Sequence, residues 1–169
     1  MQRFFPDKYV DKVQEIDLQN LIKRNIKGLI LDIDNTLVPA HAKEADDNVL
    51  RWLKKVKDTG INVIIVSNAT KKRVVKFNEK LKLPIIYRAL KPSKKAFLNA
   101  VKIMGVKASE AAVVGDQIFT DIVGGNRLNM YTILVKPFDK KEFFFVKLKR
   151  YPEKLILSRY KKSTEQKEK

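Results

Sequence analysis

The amino-acid sequence predicts an α/β fold in which a five-stranded, mainly parallel sheet lies between two layers of helices. One observation is a series of short apolar runs with polar flanks, which is typical of strands buried on both faces. The other is that segments with apolar residues at helical spacing separate these runs. Strict alternation of strand and helix indicates a parallel sheet that is covered by helices on both sides.

The predicted strands are apolar runs that end in polar residues. The first is the clearest, because the sequence G-L-I-L leads directly into an acidic pair. The third is the weakest, because it is short and follows a proline. In chain order the five predicted strands are residues 27–33, 61–66, 85–87, 111–114 and 131–135.

Most predicted helices follow a residue that can cap a helix. Asp17, Thr70 and Ser93 each precede a helical pattern, and their side chains can accept hydrogen bonds from free backbone N–H groups. Gly60 and Gly105 suit helix ends. The predicted helices start at residue 18, cover 44–57, 71–81 and 94–104, and include a short helix after Gln117 that Gly124 and Gly125 interrupt.

The chain divides into four predicted segments. Residues 1–26 form an N-terminal arm packed on the core, which occupies residues 27–137. Residues 138–160 form a basic, aromatic, helical segment, in which Pro152 restarts a helix. Residues 161–169 lack apolar side chains and are expected to be disordered.

Composition narrows the class of protein. The 169 residues suffice for one domain with a core, and 36 basic against 19 acidic residues give a net charge of +17. Such a surface attracts polyanions: nucleic acid, an anionic membrane surface or phosphorylated substrates. Cysteine is absent, and the sequence shows no signal peptide and no apolar run of roughly 20 residues. We therefore expect a cytoplasmic protein, either soluble or peripheral to a membrane.

Polar side chains follow the predicted strands where each strand ends. Ligands of a parallel sheet bind beyond the carboxyl ends of its strands, so these groups are expected to converge. Lys94 competes with Lys91 for one place, but Lys91 lies nearer the strand end. His41 is assigned no role. The converging residues are Asp32, Asp34, Ser67, Lys91 and Asp116.

This set of groups suits phosphate chemistry. Carboxylates are the hard oxygen ligands that Mg²⁺ prefers, and a hydroxyl and an amine can bind phosphoryl oxygens. An acid that attacks a phosphate dianion meets a repulsion of roughly 8 kcal/mol at ~4 Å and an effective dielectric near 20. A divalent ion together with Lys91 largely removes that barrier. The alternative is a strand end that carries solvated acids.

Four motifs resemble those of haloacid dehalogenase (HAD)-type phosphatases. They are D-I-D-N-T at 32–36, V-S-N at 66–68, Lys91-Pro92, and G-D-Q-I-F-T-D at 115–121. The G-G-N-R at 124–127 and the chain length resemble the YqeG-type group of subfamily IIIA, which includes phosphatidylglycerophosphate phosphatases. The resemblance implies a Rossmann-like, three-layer HAD fold. The connections between the predicted strands leave no room for a large cap domain.

The resemblance also implies catalytic and metal-binding roles. Asp32 is the nucleophile that forms an aspartyl-phosphate, and Asp34 is the general acid and later the general base. Mg²⁺ is held by the Asp32 carboxylate, the main-chain carbonyl of Asp34 and Asp116.

Substrate-binding residues follow from the same resemblance. Ser67 and Lys91 bind the phosphoryl oxygens, with Lys91 also counted as catalytic. Asn68 and Thr36 are further substrate-binding candidates, and Thr36 is expected to donate a hydrogen bond near Asp34. Asp121 supports the metal site, although an acid at a helix start is also favoured by the helix dipole alone.

The favoured function is Mg²⁺-dependent hydrolysis of a phospholipid phosphate such as phosphatidylglycerophosphate. The aromatic and basic segment 143–150 resembles an element that contacts an anionic membrane surface. Three alternatives stay open: a phosphatase for a soluble ester or a phosphoprotein, a receiver domain, and a basic RNA-binding module with a vestigial site. The second acid, Asp34, argues against a receiver domain, and no nucleic-acid-binding motif accompanies the basic residues.

Overall fold

A six-stranded sheet is the centre of the protein. The computed structural model describes residues 2–138 and 144–165, and within these residues every strand pair is parallel. This confirms the predicted α/β class. The strands are β1 (Lys8–Val10), β2 (Gly28–Leu31), β3 (Asn62–Val66), β4 (Ile85–Ile86), β5 (Ala111–Gly115) and β6 (Tyr131–Val135).

The strand order places β2 at the middle of the sheet. The order is β1-β6-β5-β2-β3-β4, so β2 pairs with β3 on one side and with β5 on the other. The chain therefore leaves β2 in one direction and returns on its opposite side. Such a reversal opens a crevice at the carboxyl ends of the two strands, which is where ligands of these sheets bind.

The number of strands differs from the prediction of five. The extra strand is β1, which lies at the sheet edge against β6, with Lys8 opposite Ile133. The Asp7 carboxylate accepts hydrogen bonds from the backbone N–H of Thr132 at 2.8 Å and from its hydroxyl at 3.0 Å. A three-residue strand carries no apolar run, so the sequence pattern did not reveal it.

Helices connect the strands as the alternation predicts. Side chains of Asp17, Thr70 and Ser93 accept backbone hydrogen bonds at helix starts, which confirms these three caps. The second helix begins later than predicted, because Asp46 caps it. The main helices are α1 (Leu18–Lys23), α2 (Asp47–Asp58), α3 (Lys71–Asn78), α4 (Lys94–Met104), α5 (Val123–Asn126) and α6 (Phe144–Glu165).

Both faces of the sheet are buried. Leu29 and Leu31 of β2 belong to one apolar cluster, which also contains Trp52 of α2. Ile30, between them, belongs to a second cluster with Phe97 of α4. Alternate residues of a strand point to opposite faces, so an unbroken apolar run is what a sheet in a three-layer fold requires.

The glycine pair after β5 lies inside a helix instead of interrupting one. A π-helical turn, Ile118–Ile122, continues directly into α5. A Cβ atom on Gly124 would lie 2.3 Å from the Phe97 ring, and one on Gly125 would lie 2.7 Å from the Thr132 methyl group. Glycine at these positions therefore lets α5 pack closely on α4 and on the sheet.

The C-terminal segment forms one helix through the predicted restart at Pro152. Helix α6 runs to Glu165, so residues 161–165 are helical where disorder was predicted. Lysine and glutamate favour helices even without an apolar face. The remaining predicted tail, 166–169, lies outside the described residues. None of the helices within 2–138 and 144–165 is long and apolar enough to cross a membrane.

Candidate active site

Two acids lie at the crevice between β2 and β5. Asp32 directly follows β2, and its backbone N–H donates to the carbonyl of Val114 at 3.0 Å, which extends the β2–β5 pairing by one step. Asp116 directly follows β5. Both side chains are buried. The parallel pairing of the two strands thus brings together two acids that are 84 residues apart in the sequence.

Four ionisable side chains form a buried cluster at this point. Carboxylate oxygens of Asp32, Asp116 and Asp121 lie within 4.8 Å of one another. The Lys91 Nζ lies 3.0 Å from Asp32 Oδ1 and 2.6 Å from Asp121 Oδ1. All four residues are at most 7% exposed. We call these four residues, Asp32, Lys91, Asp116 and Asp121, the inner cluster. Its three carboxylates and one ammonium have a formal charge of −2.

The π-helical turn positions Asp121 in this cluster. Asp121 Oδ2 accepts hydrogen bonds from the Gln117 backbone N–H and from the Thr120 hydroxyl, each at 3.2 Å. A Cβ atom on Gly115 would lie 2.2 Å from Asp121 Cγ, so only glycine leaves room for this carboxylate. The sequence assigned Asp121 a supporting role, and the structure places it as close to Lys91 as Asp32 is.

The main chain at Lys91 is held by Asn68. The Lys91 N–H donates to Asn68 Oδ1 at 2.8 Å, and the Asn68 amide donates to the Lys91 carbonyl at 3.4 Å. The Lys91–Pro92 peptide bond is cis, and Arg127 Nη1 donates to the Pro92 carbonyl at 3.2 Å. Lys94, the competing candidate, is exposed on α4. Lys91 is therefore the lysine of the cluster.

Ser67 and Thr36 are both buried at strand ends. Ser67 Oγ accepts the Ala69 N–H at 3.1 Å, an arrangement that fixes the start of the loop after β3. The Thr36 hydroxyl donates to Asp116 Oδ1 at 3.4 Å. The Thr36 hydroxyl was expected to donate near Asp34, whereas in the structure it donates to Asp116. The tight turn at 33–38 fixes the position of Thr36, whose backbone N–H donates to the Ile33 carbonyl at 3.2 Å.

Asp34 lies apart from the inner cluster and pairs with Arg73. Asp34 Oδ1 accepts hydrogen bonds from Arg73 Nη2 at 2.8 Å and from Nε at 3.2 Å. Their side chains are 33% and 20% exposed, respectively. Sequence reasoning missed Arg73, although its place was visible three residues after the Thr70 cap of the basic helix that follows Ser67. We call Asp34 and Arg73 the rim pair.

The charges of the inner cluster shift one another's protonation. Burial raises the pKa of the Asp32 carboxyl to about 6, since the Lys91 charge offsets only part of the effect and Asp121 raises the pKa further. Burial alone would lower the pKa of Lys91, but Asp121 and Asp32 outweigh it and hold that pKa above its ordinary range. Lys91 is therefore charged. The positive charge of Lys91 is too small to offset the burial of Asp32 and the negative charge of Asp121.

The donor set of the cluster fits a divalent cation. Three buried carboxylates supply hard oxygen ligands, and the charge of −2 is what one dication neutralises. Buried charge without a partner is costly, so the arrangement is favourable only when a cation completes it.

The profile of the family described as "Mitochondrial PGP phosphatase" matches residues 1–137. The chain belongs to this family. The "Probable phosphatase YqeG" of Bacillus subtilis is 42% identical over 159 residues, which cover 94% of this chain and 92% of that protein. The family membership confirms the resemblance to YqeG-type HAD phosphatases, and with it that the protein is a phosphatase.

A plant relative matches over nearly the same part of this chain. The "Phosphatidylglycerophosphate phosphatase 1, chloroplastic/mitochondrial" of Arabidopsis thaliana is 28% identical over 171 residues. The match covers 94% of this chain and 49% of the plant protein. This chain therefore spans about half the length of that relative.

Solved structures share the fold. The cobalt-bound deoxy-D-mannose-octulosonate 8-phosphate phosphatase of Haemophilus influenzae matches with a TM-score of 0.55 at 19% identity, over 83% of this chain and 92% of that chain. An uncharacterised protein of Listeria monocytogenes matches with a TM-score of 0.56 at 22% identity, over 70% and 85%. Together with the sheet described above, these matches confirm an HAD-type fold, and the described part of the chain, 2–138 and 144–165, shows no large cap.

Proposed function

We propose that this phosphatase is a Mg²⁺-dependent phosphomonoester hydrolase that works through an aspartyl-phosphate on Asp32. The observation that carries the proposal is the buried inner cluster, which combines an acid nucleophile, a charged lysine and two further carboxylates at the crevice of the sheet. Three acids buried within 4.8 Å of one another are costly unless they bind a cation, which supports a metal-dependent reaction in a protein of a phosphatase family.

The metal would be held by Asp32, Asp116 and the main-chain carbonyl of Asp34, with Asp121 in support. When bound, Mg²⁺ supplies the positive charge that lets an anionic phosphate approach an anionic carboxylate. The Lys91 ammonium adds one further charge on the same side. It hydrogen-bonds both Asp32 and Asp121, so its position is fixed before substrate arrives.

The reaction proceeds in two displacements. Asp34 enters this step in its acid form, having taken up a proton from solvent as substrate binds. A carboxylate oxygen of Asp32 forms a bond to phosphorus, while the bond to the ester oxygen breaks and Asp34 donates its proton to that oxygen. Asp34 then takes a proton from a water molecule that attacks the phosphorus, and the bond to Asp32 breaks. Phosphate leaves, and both aspartates return to their starting state. Ser67, Asn68 and Thr36 are the proposed substrate-binding residues around the phosphoryl group.

The proposed substrate is a phospholipid phosphate such as phosphatidylglycerophosphate. Support comes from the family match and from the substrate named for the plant relative. Residues 2–138 and 144–165 contain no large cap over the site, since α2 alone connects β2 to β3 and α3 alone connects β3 to β4, so a bulky lipid headgroup has access. A net charge of +17 favours approach to an anionic membrane surface.

The proposed membrane contact, residues 143–150, is described by the structure in the backbone of residues 144–150 only. Residue 143 falls in the gap, and the backbone of 144–150 is helical. Vesicle binding tests the role of this segment. We expect binding to vesicles that contain phosphatidylglycerol but not to phosphatidylcholine vesicles, and high salt should weaken this binding.

The deciding experiment is a panel of phosphate esters assayed with Mg²⁺. It contains phosphatidylglycerophosphate in mixed micelles, its deacylated headgroup, glycerol 3-phosphate and a phosphopeptide. We expect phosphate release from the lipid to have the highest kcat/KM and to stop on chelation. If a soluble ester has a higher kcat/KM than the lipid, that class of ester is the substrate and the lipid proposal is refuted. If phosphate release continues after full chelation, the proposed metal site is refuted.

A further inference from the structure

The rim pair, Asp34 and Arg73, lies at two neighbouring strand ends. Arg73 belongs to the first turn of α3, which follows the β3 strand end, and Asp34 follows the β2 strand end. These strands are neighbours, so the pair lies at the same carboxyl end of the sheet as the inner cluster, on the β3 side of β2. The proposed function, on which this inference rests, has Asp34 donate a proton to the leaving-group oxygen. A group bonded to that oxygen therefore lies within reach of Arg73.

The contact between the two side chains is of a kind that can be exchanged. Two Arg73 donors, Nε and Nη2, bind the same oxygen of Asp34, and Nη1 donates to the Lys43 carbonyl at 3.5 Å. An arginine that grips a carboxylate permanently usually binds both oxygens in a parallel fork. The pair is also partly open to solvent, and such pairs contribute little to stability. Giving up this contact for a substrate anion therefore costs little.

The guanidinium of Arg73 is held in place by its own helix. The Thr70 side chain caps α3 by accepting the Arg73 backbone N–H at 3.3 Å. The guanidinium carbon lies 5.4 Å from the centre of the Phe77 ring, one turn further along α3. A guanidinium stacked on a ring has fewer arrangements to lose when it binds an anion.

We infer that Arg73 is a specificity-determining residue that binds a second anionic group, a phosphodiester, on the leaving-group side of the phosphomonoester. A planar guanidinium with five N–H donors matches the two free oxygens of a phosphodiester. Glycerol 3-phosphate has no such group, because its leaving group is neutral. The headgroup of phosphatidylglycerophosphate carries a phosphodiester across the glycerol backbone from the phosphate that is removed.

The test compares these two soluble substrates in the parent and in Arg73→Gln. The diester-bearing substrate is deacylated phosphatidylglycerophosphate, which removes any effect of a membrane. We expect Arg73→Gln to raise KM for it by roughly tenfold or more, while KM for glycerol 3-phosphate stays within about twofold. Arg73→Lys should recover part of the loss, because it keeps the charge without the fork. Arg51→Gln, an exposed change on α2 that removes the same charge, should leave both KM values unchanged.

Two results would overturn the inference. If Arg73→Gln lowers kcat to the same extent for both substrates with KM unchanged, Arg73 only positions Asp34. If KM rises equally for both, it binds the phosphoryl group that every substrate shares.

Failure of the proposed function gives a different pattern, namely no hydrolysis of either substrate by the parent. In that case, calorimetry of ligand binding to the Asp32→Asn variant, with and without Arg73→Gln, tests the role of Arg73 independently of catalysis. Adding Arg73→Gln must weaken binding of the deacylated lipid and not that of glycerol 3-phosphate. Equal affinities with and without Arg73→Gln would refute the inference.

Discussion

The inner cluster and the rim pair both combine aspartate with a basic side chain but differ in burial and in charge balance. The inner cluster places three carboxylates and one ammonium where at most 7% of any residue is exposed. The rim pair places one carboxylate against one guanidinium with a fifth to a third of each side chain exposed. The inner groups sum to −2 and the rim groups to zero.

This difference assigns the two groups different roles: we expect the inner cluster to carry out phosphoryl transfer and the rim pair to discriminate between substrates. An unbalanced buried charge is unfavourable for the protein alone and becomes favourable only with a cation or a phosphoryl transition state. A balanced, hydrated pair is near neutral for stability and can change partners. Substitutions at the two places should therefore affect different quantities.

The largest effect is expected for Asp32→Asn on turnover. Asparagine keeps the shape of the side chain and removes both the attacking charge and one metal ligand. The rate of Mg²⁺-dependent phosphate release should fall by roughly 1,000-fold or more. Circular dichroism should show an intact fold. Hydrolysis near the parent rate would remove Asp32 as the nucleophile.

The same substitution should stabilise the metal-free protein. Folding raises the pKa of Asp32 from 3.8 to about 6, so its protonation favours the folded state fully below pH 3.8, and this stability is lost as pH rises through 6. At pH 7.5 in chelator, Asp32→Asn should raise the free energy of unfolding by about 3 kcal/mol. The gain should vanish near pH 4.

Asp34→Asn is the matched comparison, because it removes an equal charge from the rim. Its unfolding free energy should change by only about 0–1 kcal/mol. Added Mg²⁺ should stabilise the parent more than it stabilises Asp32→Asn. Urea unfolding of the three proteins at pH 4 and pH 7.5 measures these differences, and equal stabilities at pH 7.5 would contradict the unbalanced charge.

A smaller effect on turnover than that of Asp32→Asn is expected at Asp34, the proposed proton donor. Asp34→Asn should slow hydrolysis of glycerol 3-phosphate by roughly 100-fold, because an alkoxide leaving group needs a proton. With p-nitrophenyl phosphate the loss should be much smaller, since nitrophenolate leaves without one. Steady-state kcat values for both esters measure this. Equal losses would assign Asp34 a role in metal binding instead of proton transfer.

The sequence predicted those parts of the site that strands position. Asp32, Lys91 and Asp116 each follow a strand or a short apolar run, and parallel pairing alone brings their positions to one edge. The partners of Asp34 and Asp121 depend on side-chain directions within a helix and a π-helical turn. Sequence spacing does not fix those directions, so Arg73 was missed and the contact of Asp121 with Lys91 was not predicted.

The missing strand has a similar cause. Three residues at a sheet edge bury too little apolar surface to leave a periodic pattern, and β1 is recognised only by its pairing with β6.

That pairing has a consequence for how the chain is made. The N–H of Asp7 reaches the carbonyl of Thr132 at 2.9 Å, a contact across 125 residues of sequence. A ribosome releases the N-terminal segment first, yet its partner strand, β6, is synthesised only after the four strands β2 to β5 and the helices between them. The edge of the sheet therefore closes last, and the segment before β2 has to wait exposed during synthesis. A ribosome-stalled chain that ends before residue 131 should leave residues 8–10 open to protease, whereas the released protein should protect them.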